Sequence, residues 1–228
     1  MKRLIAAIDT QDVLRAQELV RAVAPHSGLI KLGLEFFLRN GPEGFRAVTQ
    51  GVDVFLDLKL FDIPNTVAGA VRSLLPLEPK LLTVHASGGT KMIAAAAEVA
   101  AQAKEKRPKI LAVTVLTSFD ETGLAETGVA GGAAQQVLRL ARLALAAGAD
   151  GLVCSPHEIK LLREEFGTKP LLVVPGIRPA GAELGDQARV MTPEQAVAAG
   201  ADYIVVGRPI TGVSNPAEAA AAIADAIR

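Results

Sequence analysis

The chain has no tryptophan, one tyrosine and one cysteine in 228 residues, and its formal net charge is zero. Each scarcity excludes something. The lone thiol, Cys154, allows no disulfide within the chain, which fits a reducing cytoplasm. A balanced charge with no polybasic run leaves no electrostatic footprint for nucleic acid or membrane. With so few aromatics there is also no stacking platform for single-stranded nucleic acid. No apolar run approaches membrane-spanning length. The start, Met1-Lys2-Arg3-Leu4-Ile5, is basic then apolar, but Asp9 cuts it short of a signal-peptide core. No second histidine or cysteine stands at ligand spacing from His85, so no transition-metal site is expected. Magnesium stays open on this ground, because carboxylates at a pocket mouth can bind it.

Half of the chain is hydrophobic, ample for one core. The apolar residues gather in eight short runs: Leu4–Ile8, Leu29–Leu34, Val54–Leu60, Leu81–His85, Ile110–Leu116, Gly151–Cys154, Leu171–Val174 and Tyr203–Val206. Each is too short for a helix and rich in Val, Ile or Leu without alternation, as a strand covered on both faces reads. Helical patterns lie between them. Val13, Ala16, Val20 and Val23 recur at helical spacing, and Ala94–Ala103, Gln135–Ala147 and Ala217–Ile227 are Ala-rich. A weak repeat marks the joints: Gly51-Val52-Asp53, Gly148-Ala149-Asp150 and Gly200-Ala201-Asp202. Glycine there stops a helix, and the next run is a strand. The expected architecture is α/β, a single-domain (β/α)8 TIM barrel over residues 1–228. An open doubly wound sheet predicts a glycine-rich loop after the first strand, and Ala6-Ala7-Ile8-Asp9-Thr10 has no glycine.

Chemistry in such a barrel collects at the C-terminal ends of the strands. Those ends are Asp9, Lys31, Asp57 with Lys59, His85, Thr117 with Ser118, Ser155, Pro175-Gly176-Ile177-Arg178 and Gly207-Arg208. The most informative is Asp57-Leu58-Lys59-Leu60-Phe61-Asp62, which continues the apolar Val54-Phe55-Leu56. Charges leaving a buried strand must pair or react. Strand alternation puts Asp57 and Lys59 on one face. With Lys31 and Asp62 they make two positive and two negative charges. A surface salt-bridge cluster has the same composition, but a mixed array in a barrel mouth is a functional-site candidate. Pro64 suits a first helical position. Gly207-Arg208 lies where barrels bind phosphate through backbone N–H groups, and Arg178 would bring a second guanidinium. A glycine turn beside a solvent arginine is the alternative. Two connections are long, Phe119–Gly132 and Arg178–Met191, and the second has the composition of a mobile lid. His85 reads first as a satisfied, partly buried histidine, and Cys154 as core packing.

These residues, in this order, resemble bacterial members of the orotidine 5′-monophosphate decarboxylase family. The matching segments are Ala7-Ile8-Asp9, Lys31-Leu32-Gly33, Asp57-Leu58-Lys59 through Asp62-Ile63-Pro64-Asn65-Thr66, and Val84-His85-Ala86 with Gly88-Gly89. Further on come Leu116-Thr117-Ser118, Pro175-Gly176-Ile177-Arg178-Pro179, Gly185-Asp186-Gln187-Ala188-Arg189 and Val206-Gly207-Arg208-Pro209-Ile210. Phe61 departs from the pattern, standing where many members carry histidine. The resemblance implies cofactor-independent decarboxylation of orotidine 5′-monophosphate to UMP and CO2, the last step of de novo pyrimidine synthesis, in the cytoplasm and without a metal. It implies that Lys59 protonates C6, that Asp57 lies beside the departing CO2, and that Lys31 holds the array and a ribose hydroxyl. Asp9 would contact the ribose and Thr117 the base. Arg178, Gln187, Gly207 and Arg208 would grip the phosphate. Asp62, Ile63 and Thr66 would enter the neighbouring subunit's site, so a homodimer with shared sites is implied.

Three rivals make different demands. A magnesium-dependent sugar-phosphate decarboxylase or aldolase of the same barrel group is similar at Asp-x-Lys-x-x-Asp, but not in the Asp62–Thr66 continuation or the Arg178 to Gln187 loop. A silent phosphate-binding barrel would tolerate Lys59→Ala. A phosphosugar isomerase would need Asp57 free of Lys59.

Overall fold

The eight apolar runs become eight strands because each has a hydrophobic side chain to offer to both of its faces. The structure is a computed structural model and describes residues 2–179 and 191–228. The strands are β1 (Leu4–Ile8), β2 (Leu29–Gly33), β3 (Val54–Leu60), β4 (Leu81–His85), β5 (Lys109–Val113), β6 (Gly151–Val153), β7 (Leu171–Val174) and β8 (Tyr203–Val206). They pair in parallel in chain order, and β8 returns to β1. The sheet is therefore the closed (β/α)8 barrel that the sequence pattern predicts. The helices are α1 (Val13–Val23), α2 (Leu34–Val48), α3 (Pro64–Leu74), α4 (Gly89–Ala101), α5 (Glu121–Glu126), α6 (Gly132–Ala146), α7 (Ile159–Phe166), α8 (Pro193–Ala199), α9 (Arg208–Thr211) and α10 (Pro216–Ala226). Pro64 opens α3 at its first position, where its missing N–H is no loss.

Alternation decides which of two cores a side chain enters. Ile5, Ala7, Leu29, Phe55, Leu81, Leu111, Val113, Val153, Val173 and Val205 form a buried cluster of strand residues alone, which is the barrel interior. Their neighbours, such as Leu4, Ala6 and Ile8, pack with Ala16, Leu19 and Val20 of α1 in the larger cluster beneath the helices. Carried up β3 and β4, the inward parity selects Asp57 and Lys59, then Thr83 and His85. The interior is thus apolar below and polar at its C-terminal mouth.

Local boundaries differ from the sequence reading at four places. β2 ends at Gly33, not Leu34, because Gly33 is the extended N-cap of α2 and Leu34 is already helical. β5 runs from Lys109 to Val113 and not to Leu116; beyond it, the Thr114 N–H and hydroxyl both donate to the Val153 carbonyl. β6 stops at Val153, one residue before Cys154. The segment Phe119–Gly132 is not all loop: Asp120 caps α5, its carboxylate accepting the Gly123 N–H at 2.8 Å.

The Gly-x-Asp repeat proves to be a device at the other end of the barrel. Gly51, Gly148 and Gly200 have φ of 74°, 98° and 115°, a region that side chains disfavour. Two of the helix ends then close with 3.0 Å bonds, Ala149 N–H to the Ala144 carbonyl and Ala201 N–H to the Ala196 carbonyl. The aspartates tie these ends to the strands. Asp150 accepts both guanidinium nitrogens of Arg107 (2.8 and 2.9 Å) and the Ile110 N–H (2.8 Å). Asp202 accepts Arg163 (2.6 Å) and the Leu172 N–H (2.8 Å). Asp53 makes a looser contact, 3.7 Å to an exposed Lys80. Asp150→Ala is expected to lower unfolding free energy by about 2 kcal/mol, since it strips an acceptor from a strand N–H and an arginine. Asp53→Ala should change it by less than about 0.5 kcal/mol. Urea unfolding midpoints of the two variants check the difference.

Candidate active site

Adjacent strands β1, β2 and β3 deliver four charges in a row at the mouth. Lys31 Nζ lies 3.2 Å from Asp9 Oδ1 and 3.9 Å from Asp57 Oδ2. Lys59 Nζ lies 2.8 Å from the same Asp57 oxygen. The signs alternate, Asp9, Lys31, Asp57, Lys59, and sum to zero. Side-chain exposure is 11% for Asp57 and 12% for Lys31, against 31% for Lys59 and 55% for Asp9. A carboxylate this buried needs its partners, and two ammonium groups supply them. Gly33 leaves room for Lys31: a β-carbon there would stand 3.2 Å from its Nζ. Asp62, grouped with this array on sequence grounds, is not in it. Its carboxylate turns back to accept the N–H of Ile63 at 2.6 Å, and Asp9 takes its place.

Lys59 reaches Asp57 through an irregularity in the sheet. Leu56 pairs with Leu82, but the next pair is Leu60 with Val84, so β3 carries two more residues than β4 over this stretch. The extra length is a bulge, a device that re-aims side chains beside sites. Lys59 takes it up with φ of 48°, in the left-handed region that a lysine rarely enters. Thr83 sits opposite. Its hydroxyl accepts the Lys59 N–H at 2.8 Å and donates to Asp57 Oδ1 at 2.9 Å.

The array faces a cavity of about 550 Å³. Asp9, Lys31, Asp57, Lys59, Thr117, Arg178, Gly207 and Arg208 all line it, so strand ends far apart in sequence meet around one space. Arg178 is buried and its first guanidinium nitrogen donates to the Ile177 carbonyl at 2.9 Å. Burial, then the charge of Arg208, pushes the Arg178 pKa down. Ile63 and Thr66 lie outside this cavity and are exposed, as is Asp62. Gln187 lies outside the described residues. Among the described residues, no group of three or more His, Cys, Asp or Glu is placed to hold a metal ion.

A family model described as orotidine 5′-phosphate decarboxylase / HUMPS matches residues 2–223. The chain belongs to this family. The orotidine 5′-phosphate decarboxylase of Gluconobacter oxydans is 55% identical over 224 residues, covering 97% of this chain and 95% of that one. That of Anaeromyxobacter sp. (strain K) is 54% identical over 224 residues, covering 98% and 97%. A crystal structure of orotidine 5′-phosphate decarboxylase from Lactobacillus acidophilus superposes with a TM-score of 0.89 at 38% identity, covering all of both chains.

In this member of the orotidine 5′-phosphate decarboxylase / HUMPS family, sequence reasoning passed over Thr83. The available signal was parity: Leu81, Thr83 and His85 share the inward face, and a threonine there is the odd residue in an apolar strand. His85 also differs from its reading. It is partly buried, but Nδ1 has no hydrogen-bond partner among the described residues. Its ring instead packs on Phe61, centroids 5.6 Å apart at 35°. Burial first, and then the Lys59 ammonium, holds the His85 pKa below its ordinary 6.5. The unfolded chain therefore binds this proton at a higher pH than the folded chain. The stability that neutral His85 contributes is complete above 6.5 and is lost as pH falls from there through the folded value. Between about pH 7.5 and about pH 5.5, the melting temperature of the wild type should fall more steeply than that of His85→Asn. Parallel thermal melts test this, and equal slopes would remove His85 from the acid limb.

Proposed function

We propose that residues 1–228 form one catalytic domain that decarboxylates orotidine 5′-monophosphate to UMP and CO2, closing de novo pyrimidine synthesis, with Lys59 as the proton donor to C6. The observation that carries this reading is the Lys31–Asp57–Lys59 row on one wall of a cavity that also holds Arg178 and Arg208. Close likeness to orotidine 5′-phosphate decarboxylases over nearly the whole chain supports it.

The chemistry asks for these residue types. When the bond from C6 to the carboxylate breaks, its electron pair stays on C6 in the plane of the ring. The π system is perpendicular to that pair and gives it no resonance. Stabilisation must come from fixed charge aimed at the carbon. Lys59 supplies an ammonium already oriented by Asp57, and its proton forms the new C6–H bond. The neutral amine then regains a proton from solvent. Asp57 beside the substrate carboxylate adds a repulsion that is relieved as CO2 leaves. Lys31 holds Asp57 from the other side and reaches Asp9, which faces the ribose. Thr117 contacts the base.

Arg178, Gln187, Gly207 and Arg208 form the phosphate grip. Burial first, and then the charge of Arg208, opposes the Arg178 charge, and a bound dianion offsets both. Phosphate binding is thus coupled to settling both arginines, and that binding energy orients a carbon several bonds away. No cofactor enters this scheme, and the reaction belongs in the cytoplasm.

Asp62, Ile63 and Thr66 serve a partner's site in a homodimer. Phe61 and Ile63 are 61% and 66% exposed after β3, and Leu34 and Leu38 are 45% and 78% exposed in the first turns of α2, so large exposed apolar side chains follow two neighbouring strands. A second copy of the chain covers them. Ile63→Asp should move the protein from dimer toward monomer in sedimentation velocity. A wild type that sediments as a monomer at micromolar concentration would end this part of the reading.

The reaction is followed by loss of orotate absorbance with purified protein and a chelator. The wild type should turn over, and Lys59→Ala should lose at least about a thousandfold in kcat. Activity that needs added magnesium, or appears only with sugar phosphates, would favour the magnesium-dependent branch.

A further inference from the structure

The structure assigns Thr83 a positioning role in the Lys59 step, an inference that rests on the decarboxylase reading above. Thr83 does not line the cavity and is fully buried, so it is not placed to touch substrate. What it touches is the machinery on both sides. Its hydroxyl has one proton, and Asp57 Oδ1 receives it at 2.9 Å. Its oxygen receives the Lys59 N–H at 2.8 Å. The polarity is forced, because a backbone N–H can only donate and an ionised carboxylate can only accept.

Two consequences follow for Lys59. The Asp57 carboxylate is divided: Oδ1 belongs to Thr83, which leaves Oδ2 facing Lys59 at 2.8 Å and Lys31 at 3.9 Å. A carboxylate free to rotate would not present one oxygen to both ammonium groups. The second consequence concerns the backbone. In the bulge, Lys59 has left the regular ladder between Leu56–Leu82 and Leu60–Val84 and adopts φ of 48°. A left-handed lysine is strained and persists only where surroundings fix it. The hydrogen bond from its own N–H to Thr83 is such a constraint, made by a β-branched side chain with little rotamer freedom. Thr83 thus holds the proton donor at its backbone and its counter-ion at the carboxylate with a single buried oxygen.

Thr83→Val keeps the shape and removes the hydroxyl; Thr83→Ser keeps the hydroxyl and removes the methyl. Steady-state decarboxylation should show Thr83→Val with kcat lowered about ten- to a hundredfold and KM within about threefold of wild type. Thr83→Ser should stay within about threefold in kcat. In the ligand-free protein, hydrogen exchange at the Lys59 amide should accelerate in Thr83→Val and not in Thr83→Ser. Wild-type kcat in Thr83→Val, or an equal loss in Thr83→Ser, would overturn the inference by leaving only a packing role. A wild type that does not turn over orotidine 5′-monophosphate would sink the decarboxylase reading, while the exchange data still decide whether Thr83 holds Lys59. Should the valine variant not fold, Thr83→Ala carries the same comparisons.

Discussion

Asp57 is a carboxylate in the wall of a closed barrel, and compensating that one charge organises the mouth around it. Two ammonium groups approach Oδ2 and a threonine hydroxyl holds Oδ1. Lys31 can serve because its strand neighbours β3, with Gly33 paired to Asp57. Lys59 can serve only because β3 bulges and its backbone enters a conformation that lysine avoids. The compensation is therefore preorganised, which is the form of electrostatics that costs no reorganisation during a reaction. An array summing to zero also explains how so much charge sits partly dry in a protein with no net charge.

The two ends of the barrel divide the labour. At the N-terminal end, glycines in left-handed conformations stop helices, and Asp150 and Asp202 fasten the ends to the next strands. Glu78 and Lys104, in the segments that lead into β4 and β5, also carry positive φ, 52° each. At the C-terminal end are the positive φ of Lys59, a buried histidine nitrogen without a hydrogen-bond partner among the described residues, and Arg178, whose charge is opposed first by burial and then by Arg208. Strained backbone is found at both ends, but only at the mouth does it position a charged side chain that faces the cavity.

Phe61 shows how an apolar ring is accommodated beside the charged row. It follows β3, yet it is 61% exposed, packs against His85 and lies outside the cavity. The neighbouring imidazole is kept neutral by burial and by Lys59, which suits an apolar stacking partner. Phe61 thus packs at the mouth without entering the charged row.

Much of this was legible in the sequence because it depends on local physics. Strand-length apolar runs, the Gly-x-Asp joints and Pro64 specify eight strand–helix units, and alternation alone puts Asp57 and Lys59 on one face. The limits of β2 and β5 were not legible, since a hydrophobic run does not record where the chain stops pairing. The bulge was not legible either, because register is a relation between two strands and its signal is split between them. Thr83 went unseen for the same reason: a single threonine in β4 has no stated task until β4 is laid beside β3. Conversely, the sequence grouped Asp62 with the array by proximity along the chain, and the turn after β3 carries it away. The sequence by itself determined the barrel and its inventory of charges, because periodicity and composition are local. Only the tertiary structure decided which groups meet, because Asp9, Lys31 and Thr83 come to the Asp57–Lys59 pair through strand pairing, and Arg178 and Arg208 come to the same cavity through closure of the sheet, not through spacing.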